Sequence, residues 1–331
     1  MDYPKTVLHL HLDGAMPARL FAKWSREDGM IPEEMSDGAW ISAHQLKESM
    51  SLAEALANFD ILLALLNREE RLSECTEELL EDLYQEGVRV AEIRFSPQSH
   101  HPLSMEAAVQ AVIAGQKKAV SRHPDLCAGI LLCMMHGTDN EAENRNTVLL
   151  AGKYLKEGVV GIDLAGNETG NSLSDYESCF NLAKENGIPF TIHAGESGPA
   201  SNVQYAIDLG AKRIGHGVKS ISDENVVKNL VSHGVTLEVC PTSNIYASSF
   251  PSLKEHPVRK LYDAGVKLNL NTDDPFLMNL TLEQEYQNMR EVFQFTEKEL
   301  ILTNLYGAEA SFCKGSEKVA EQLRSILANM K

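Results

Sequence analysis

Apolar residues in this chain fall into two alternating rhythms. Short, near-continuous runs recur at Val7–Leu12, Val88–Phe95, Ala128–Met134, Val159–Leu164, Pro189–His193, Arg213–His216, Val235–Val239 and Val266–Leu270. Continuous rather than alternating hydrophobicity marks strands covered on both faces, as in parallel sheets. Longer helical stretches separate them, and capping boxes at Ser51-x-x-Glu54, Thr281-x-x-Gln284 and Thr296-x-x-Glu299 mark helix starts. From Val88 onward the interval between runs is about that of one βα unit. Eight such units predict an α/β fold, a closed (β/α)8 TIM barrel, with an open doubly wound sheet as the alternative.

One interval breaks the period. Residues 13–87 separate the first run from the second and contain helical patterns at Leu52–Asn67 and Leu72–Glu86. An insertion at the C-terminal end of a barrel strand stands where a lid would close over a site. From about Leu282 the pattern is helical to the end. No linker, repeat or low-complexity tract interrupts the 331 residues. The expected organisation is therefore one domain over 1–331, with a helical lid region at 13–87 and C-terminal helices at 282–331.

The ends of these apolar runs are unexpectedly polar. His9 and His11 end the first, His193 and Glu196 end the fifth, His216 ends the sixth, and Asp273–Asp274 follow the last. His9 and His11 are two apart on a strand, so both point to one face, which in a barrel is the lumen. After His193, the small Ala194–Gly195 pair lets backbone pass close to a ligand and brings Glu196 to the same mouth. Of the two acids, one could simply begin a loop before Pro275. Three imidazoles and one carboxylate form a donor set for Zn²⁺ or a similar divalent ion, with a position left open for water. Such an ion lowers the pKa of its water to about 7. His216, between Gly215 and Gly217, is placed to orient that water or take its proton, and Glu196 is the free carboxyl for proton donation.

Composition narrows the partners. The net charge of −17 argues against nucleic acid and anionic membranes, both of which require a basic surface. The longest apolar runs, such as Ile61–Leu66, are far too short for a bilayer, and Met1–Lys5 do not read as a signal peptide. A cytoplasmic enzyme is the expectation. The six cysteines show no CxxC spacing, so Cys133 and Cys240, inside apolar runs, read as buried thiols. Nothing in the sequence signals an oligomeric state.

The motifs closely resemble those of the adenosine deaminase family of metal-dependent amidohydrolases. The matching segments are His9-Leu-His-Leu-Asp-Gly14, Ser51-Leu-x-Glu54 with Asn58-Phe59-Asp60, and Glu92-Ile-Arg-Phe-Ser-Pro97. Further matches are Gly161-Ile-Asp-Leu-Ala-Gly166, His193-Ala-Gly-Glu196, Arg213-Ile-Gly-His-Gly217, Cys240-Pro-Thr-Ser-Asn244 and Asn271-Thr-Asp-Asp-Pro275. They follow the family's order over essentially the whole chain. The resemblance implies that His9, His11, His193 and Asp273 hold one zinc ion. It implies that Glu196 protonates purine N1 and that His216 orients and helps activate the water. Asp274 would face purine N7, the Gly166 backbone would donate near N3, and Asp13 would meet the sugar 5′-hydroxyl.

The implied reaction is hydrolytic deamination of adenosine or 2′-deoxyadenosine to the inosine compound and ammonia, with a small purine nucleoside as the partner. Some stretches depart from the family pattern: Ala15-Met-Pro-Ala-Arg-Leu20, the strand end Met134-Met135-His136, and Pro97-Gln98-Ser-His-His101, which resembles the adenine deaminase branch as much. These leave the chemistry alone and bear on the N9 substituent, so free adenine or a modified nucleoside is the alternative substrate. Asp13 favours a nucleoside, since the free-base branch usually has Glu there. Binuclear amidohydrolases usually need a lysine near the end of strand four, and Asp163-Leu-Ala-Gly166 offers none. A non-catalytic metal-binding protein on this scaffold would predict a lost ligand or donor, and none is lost.

Overall fold

The computed structural model describes residues 3–47, 52–170 and 172–330. Among them are eight parallel strands, in two four-stranded sheets ordered β1-β2-β3-β4 and β5-β6-β7-β8. The first sheet holds β1 (Lys5–Val7), β2 (Val88–Phe95), β3 (Cys127–Met135) and β4 (Val159–Ala165). The second holds β5 (His193–Ala194), β6 (Arg213–His216), β7 (Thr236–Val239) and β8 (Lys267–Leu270). Two seams join the sheets into a ring. At one, Ile162 bridges Phe190, with Ile162 N donating to Pro189 O at 3.0 Å and Thr191 N to Ile162 O at 3.1 Å. At the other, Leu10 bridges Asp273, and His11 N donates to Asp273 O at 3.1 Å. The barrel expected from the run spacing is thus closed.

β1 and β5 are the two strands placed furthest from their apolar runs, each sharing a single residue with its run (Val7 and His193), and in both the rest of the run lies at these seams. Beyond Val7 the ladder is replaced by a side chain: Asn271 Oδ1 accepts from Leu8 N at 2.7 Å and His9 N at 3.0 Å. A side-chain carbonyl standing in for a strand carbonyl satisfies the backbone donors but ends regular pairing. It also frees the chain at His9 and His11 to turn both rings inward.

Between β1 and β2 lie four helices: α1 (Ala18–Glu27), α2 (Asp37–Ala43), α3 (Leu52–Leu65) and α4 (Glu69–Gln85). The Ser51–Glu54 box lies outside the described residues. After β8 come α5 (Leu282–Glu291), α6 (Glu297–Ala310) and α7 (Ser316–Asn329). The other two capping boxes are formed as read: Thr281 and Gln284 satisfy each other's backbone N–H at 2.7 and 3.2 Å, and Thr296 and Glu299 do so at 2.8 and 3.3 Å. α6 covers the β8–β1 seam, where Asn304 Oδ1 accepts from Thr6 N at 2.7 Å. Gly307 allows that approach, because a Cβ there would sit 2.3 Å from Thr6 Oγ1 and from Asn269 Nδ2. No described helix is long and apolar enough to cross a membrane.

The barrel interior carries charge. Glu238 on β7 accepts from Arg94 Nη2 and Arg213 Nε, each at 2.6 Å, and from Thr191 Oγ1 at 3.0 Å. Arg94 also reaches Asp163 at 2.6 Å, and Arg213 reaches Glu92 at 2.6 Å. All five ionised side chains are fully buried. Buried ions are tolerated only when paired and hydrogen-bonded, and here every carboxylate faces a guanidinium. Glu92 then accepts from Ser311 Oγ and Phe312 N, tying the α6–α7 turn to the barrel.

Candidate metal centre and active site

The polar strand ends meet at one mouth. Ring centroids lie 4.5 Å apart for His9 and His193, 4.6 Å for His9 and His216, and 5.3 Å for His11 and His193. One potential ligand atom each from His9, His193, His216 and Asp273 falls within 4.8 Å of the others. His11 joins them from the rim: its Nε2 is 3.2 Å from His193 Nε2 and 3.4 Å from Asp273 Oδ1. Five candidate ligands therefore converge where four were expected, and His216 is the extra one.

What lies behind the rings tests whether a cation belongs here. Glu238 Oε2 is 2.9 Å from His9 Nδ1, and Asp163 Oδ2 is 2.8 Å from His193 Nδ1. An ionised carboxylate only accepts, so the Glu238 contact puts the proton on His9 Nδ1 and turns the His9 Nε2 lone pair to the centre, while Asp163 stands behind the far nitrogen of His193. There, His9 Nε2 and Asp273 Oδ1 stand 3.1 Å apart, both buried and without hydrogen-bond partners. Two buried acceptors facing each other are unfavourable unless a cation lies between them. A nitrogen-rich set with one carboxylate fits a divalent ion of the zinc type.

Backbone strain marks the same spot. His216 has φ +58° and Asp273 φ +64°, values that non-glycine residues rarely adopt. At Gly215 a Cβ would lie 2.9 Å from His9 Cε1, so only glycine lets β6 pass under that ring.

Electrostatics divide the carboxyls. Burial would push Asp273 up, yet His9, then His216 and His11, hold it well below the usual range. Burial pushes Glu196 up to about 8, with Asp273 adding to the rise. Burial, then Asp273 and Asp13, push Asp274 well above its ordinary value. Asp274 Oδ1 is itself buried and unpartnered. Burial lowers His11 to about 3 and holds His216 well below its usual value. One carboxylate is thus kept charged beside two carboxyls kept protonated, the separation that acid–base chemistry at neutral pH requires.

Several residues that shape the mouth were not singled out from the sequence. Glu168, only 4% exposed, accepts from Gly195 N at 2.7 Å, Glu196 N at 3.2 Å, Gly198 N at 2.8 Å and Asn202 Nδ2 at 2.8 Å, and so clamps the loop that bears Glu196. His100, buried after β2, lies 3.3 Å from Asp13 Oδ1 and reaches Leu66 O at 3.2 Å through Nδ1. Gly14 abuts Asp274, since a Cβ there would fall 1.8 Å from its Oδ1. Gly166, expected from the sequence to serve purine N3, follows β4 with φ +95°. Asp163 and Glu238 had a signal available, a charged residue inside an otherwise apolar strand, whereas Glu168 and His100 sit in loops and had none.

Known proteins resemble this chain in sequence and in fold. The family model described as adenosine deaminase matches residues 4–329. An adenosine deaminase from Haemophilus ducreyi is 36% identical over 321 residues, spanning 95% of this chain and 93% of the relative. Among solved structures, an Arabidopsis N6-mAMP deaminase aligns with TM-score 0.84 at 28% identity, covering 99% of this chain and 98% of that one. An adenine deaminase from Arthrobacter aurescens aligns with TM-score 0.86 at 24% identity over 98% of this chain and 99% of that one, and speaks for the fold alone.

Proposed function

The chain belongs to the adenosine deaminase family and is an aminohydrolase acting on a purine; from that premise we propose that its substrates are adenosine and 2′-deoxyadenosine, deaminated with one zinc ion held by His9, His11, His193 and Asp273. The observation that carries the nucleoside reading is Asp13. Its carboxylate is 6% exposed, backed by His100, and next to Gly14, which abuts Asp274. A buried carboxylate there accepts a hydrogen bond from a sugar hydroxyl and repels a 5′-phosphate.

When bound, the zinc ion supplies Lewis acidity and lowers the pKa of water to about 7. The protein supplies the rest. Glu196, protonated at neutral pH, gives its proton to purine N1 and makes C6 electrophilic. Adenosine N7 is an acceptor, so Asp274 must donate to it, and the raised pKa of Asp274 keeps that proton in place. The Gly166 backbone N–H serves N3. Water attacks C6 and His216 faces the oxygen on which charge develops; of the two protons the water gives up, one returns Glu196 to its protonated form and the other goes to the amino nitrogen, so that ammonia leaves and a carbonyl remains at C6.

Ultraviolet assays of zinc-loaded protein test the reading. Adenosine and deoxyadenosine are expected to turn over, with kcat/KM for adenine and AMP lower by roughly 100-fold or more. Chelation is expected to abolish activity and added zinc to restore it. AMP turned over as fast as adenosine, or no activity on either nucleoside, refutes the assignment. Gly14→Ala checks the purine contact separately: displacing Asp274 is expected to lower kcat/KM about tenfold, the size of one lost hydrogen bond to a charged or buried group, with zinc content unchanged. Unaltered kinetics would remove Asp274 from the substrate site.

A further inference from the structure

Five candidate ligands crowd a centre that needs four, and the groups behind the rings separate them. Carboxylates stand behind His9 and His193, whereas an amide stands behind His216. Its orientation can be traced back to the main chain. Val258 N is 3.2 Å from His256 Nδ1, and a backbone N–H can only donate. His256 Nδ1 is therefore the bare nitrogen. The ring is 4% exposed and burial lowers it to about 3, so it is uncharged and its proton sits on Nε2. That Nε2–H donates to Asn244 Oδ1 at 3.1 Å, which decides which way round the Asn244 amide lies. Asn244 Nδ2 then faces His216 Nδ1 at 3.1 Å, and an amide nitrogen can only donate.

We propose that Asn244 and His256 are positioning residues that lock His216 in its Nε2–H tautomer, so that His216 serves the reaction as a hydrogen-bond donor and stays off the metal. The chain Val258 N–H, His256, Asn244, His216 has one consistent direction, and Asn244 and His216 are 0% and 1% exposed, so no solvent competes for it. Its last proton points into the mouth, where His216 Nε2 is 3.8 Å from both Glu196 Oε1 and Asp273 Oδ2. A nitrogen that carries a proton has no lone pair for a cation. His9, His11, His193 and Asp273 are left as the ligands, and the rim position of His11 no longer counts against it. The same tautomer narrows the role of His216. With Nδ1 already used as an acceptor and Nε2 protonated, the resting ring cannot take the proton of the attacking water. It can hold the oxygen that becomes negative at C6.

The kinetic arm of the test rests on the purine aminohydrolase reading, and the spectroscopic arm does not. Long-range ¹H–¹⁵N spectra of zinc-loaded protein carrying ¹⁵N-histidine are expected to show His216 with a protonated Nε2 and a bare Nδ1. Asn244→Asp places a group that only accepts against Nδ1 and is expected to reverse that pattern. It should lower kcat by about 10²–10³-fold, as the loss of one oxyanion-stabilising donor does, with KM and zinc content little changed. His256→Phe removes the donor that orients Asn244 and is expected to give mixed tautomers. His256→Gln retains a donor and should lie nearer the parent in both spectrum and kcat. A protonated Nδ1 in the parent protein overturns the proposal. So does Asn244→Asp with parental spectrum and kcat, or His256→Phe with a pure Nε2–H ring. Inactivity of the parent on every purine would fault the substrate reading while leaving the spectra to decide the tautomer.

Discussion

Glu196→Gln is expected to lower kcat by about 10²–10⁴-fold while zinc content, fold and KM stay close to those of the parent, the range that a positioned proton donor contributes. The substitution is nearly isosteric. The loop is held through backbone N–H groups on Glu168, which the change leaves untouched. The amide fills the same space but has no proton to transfer to a ring nitrogen, so the loss isolates chemistry from binding. pH offers a second readout. Burial, then Asp273, raise the Glu196 carboxyl to about 8. The protonated donor is thus present at pH 7 and is lost as pH rises through that value, giving an alkaline limb in kcat/KM, the parameter that reports the free enzyme. Whatever activity Glu196→Gln retains should lack that limb. A variant that keeps more than a tenth of parental kcat with the limb intact removes Glu196 from the donor role.

Glu238→Gln is expected to have the largest effect on folding, a loss of about 3–5 kcal/mol, the typical consequence of removing one partner from a buried ion pair. Glu238 is fully buried and meets two guanidiniums, a threonine hydroxyl and His9. Glutamine keeps the volume but brings an NH₂ group to face donors, and Arg94 and Arg213 lose a shared counter-charge. The same change should weaken zinc binding by about 10–100-fold, because the carboxylate that fixes the His9 tautomer is gone. The midpoint of urea unfolding and a zinc titration measure the two effects. An exposed pair such as Lys23–Glu74, 47% and 40% accessible, provides the contrast at no more than about 1 kcal/mol. Should Glu238→Gln unfold at the parental urea midpoint, the buried network is not what holds this barrel together.

Much of the architecture was legible because hydrophobic period is a local property. A buried parallel strand must be apolar on both faces, so β2, β6 and β8 could be read to within a residue or two. The two remaining capping boxes are equally local, each spanning four residues. β1 and β5 were misplaced for the opposite reason, each sharing one residue with its apolar run, Val7 and His193. Their pairing ends at the seams, where Asn271, 262 residues from His9, supplies the carbonyl that a neighbouring strand would otherwise provide.

The site divides along the same line. His9, His11, His193, His216, Glu196, Asp273 and Asp274 stood out because polar groups at the ends of apolar runs are locally anomalous. The sequence by itself thus determined the fold class, the family and a short set of chemically competent side chains. Their separate roles are tertiary. Whether an imidazole offers a lone pair or a proton depends on the group behind its far nitrogen, and those groups, Glu238, Asp163 and Asn244, come from two other strands and a helix. Likewise a glutamate is an ordinary acid in water. Only burial in the mouth, with Asp273 nearby, turns Glu196 into a proton donor at neutral pH.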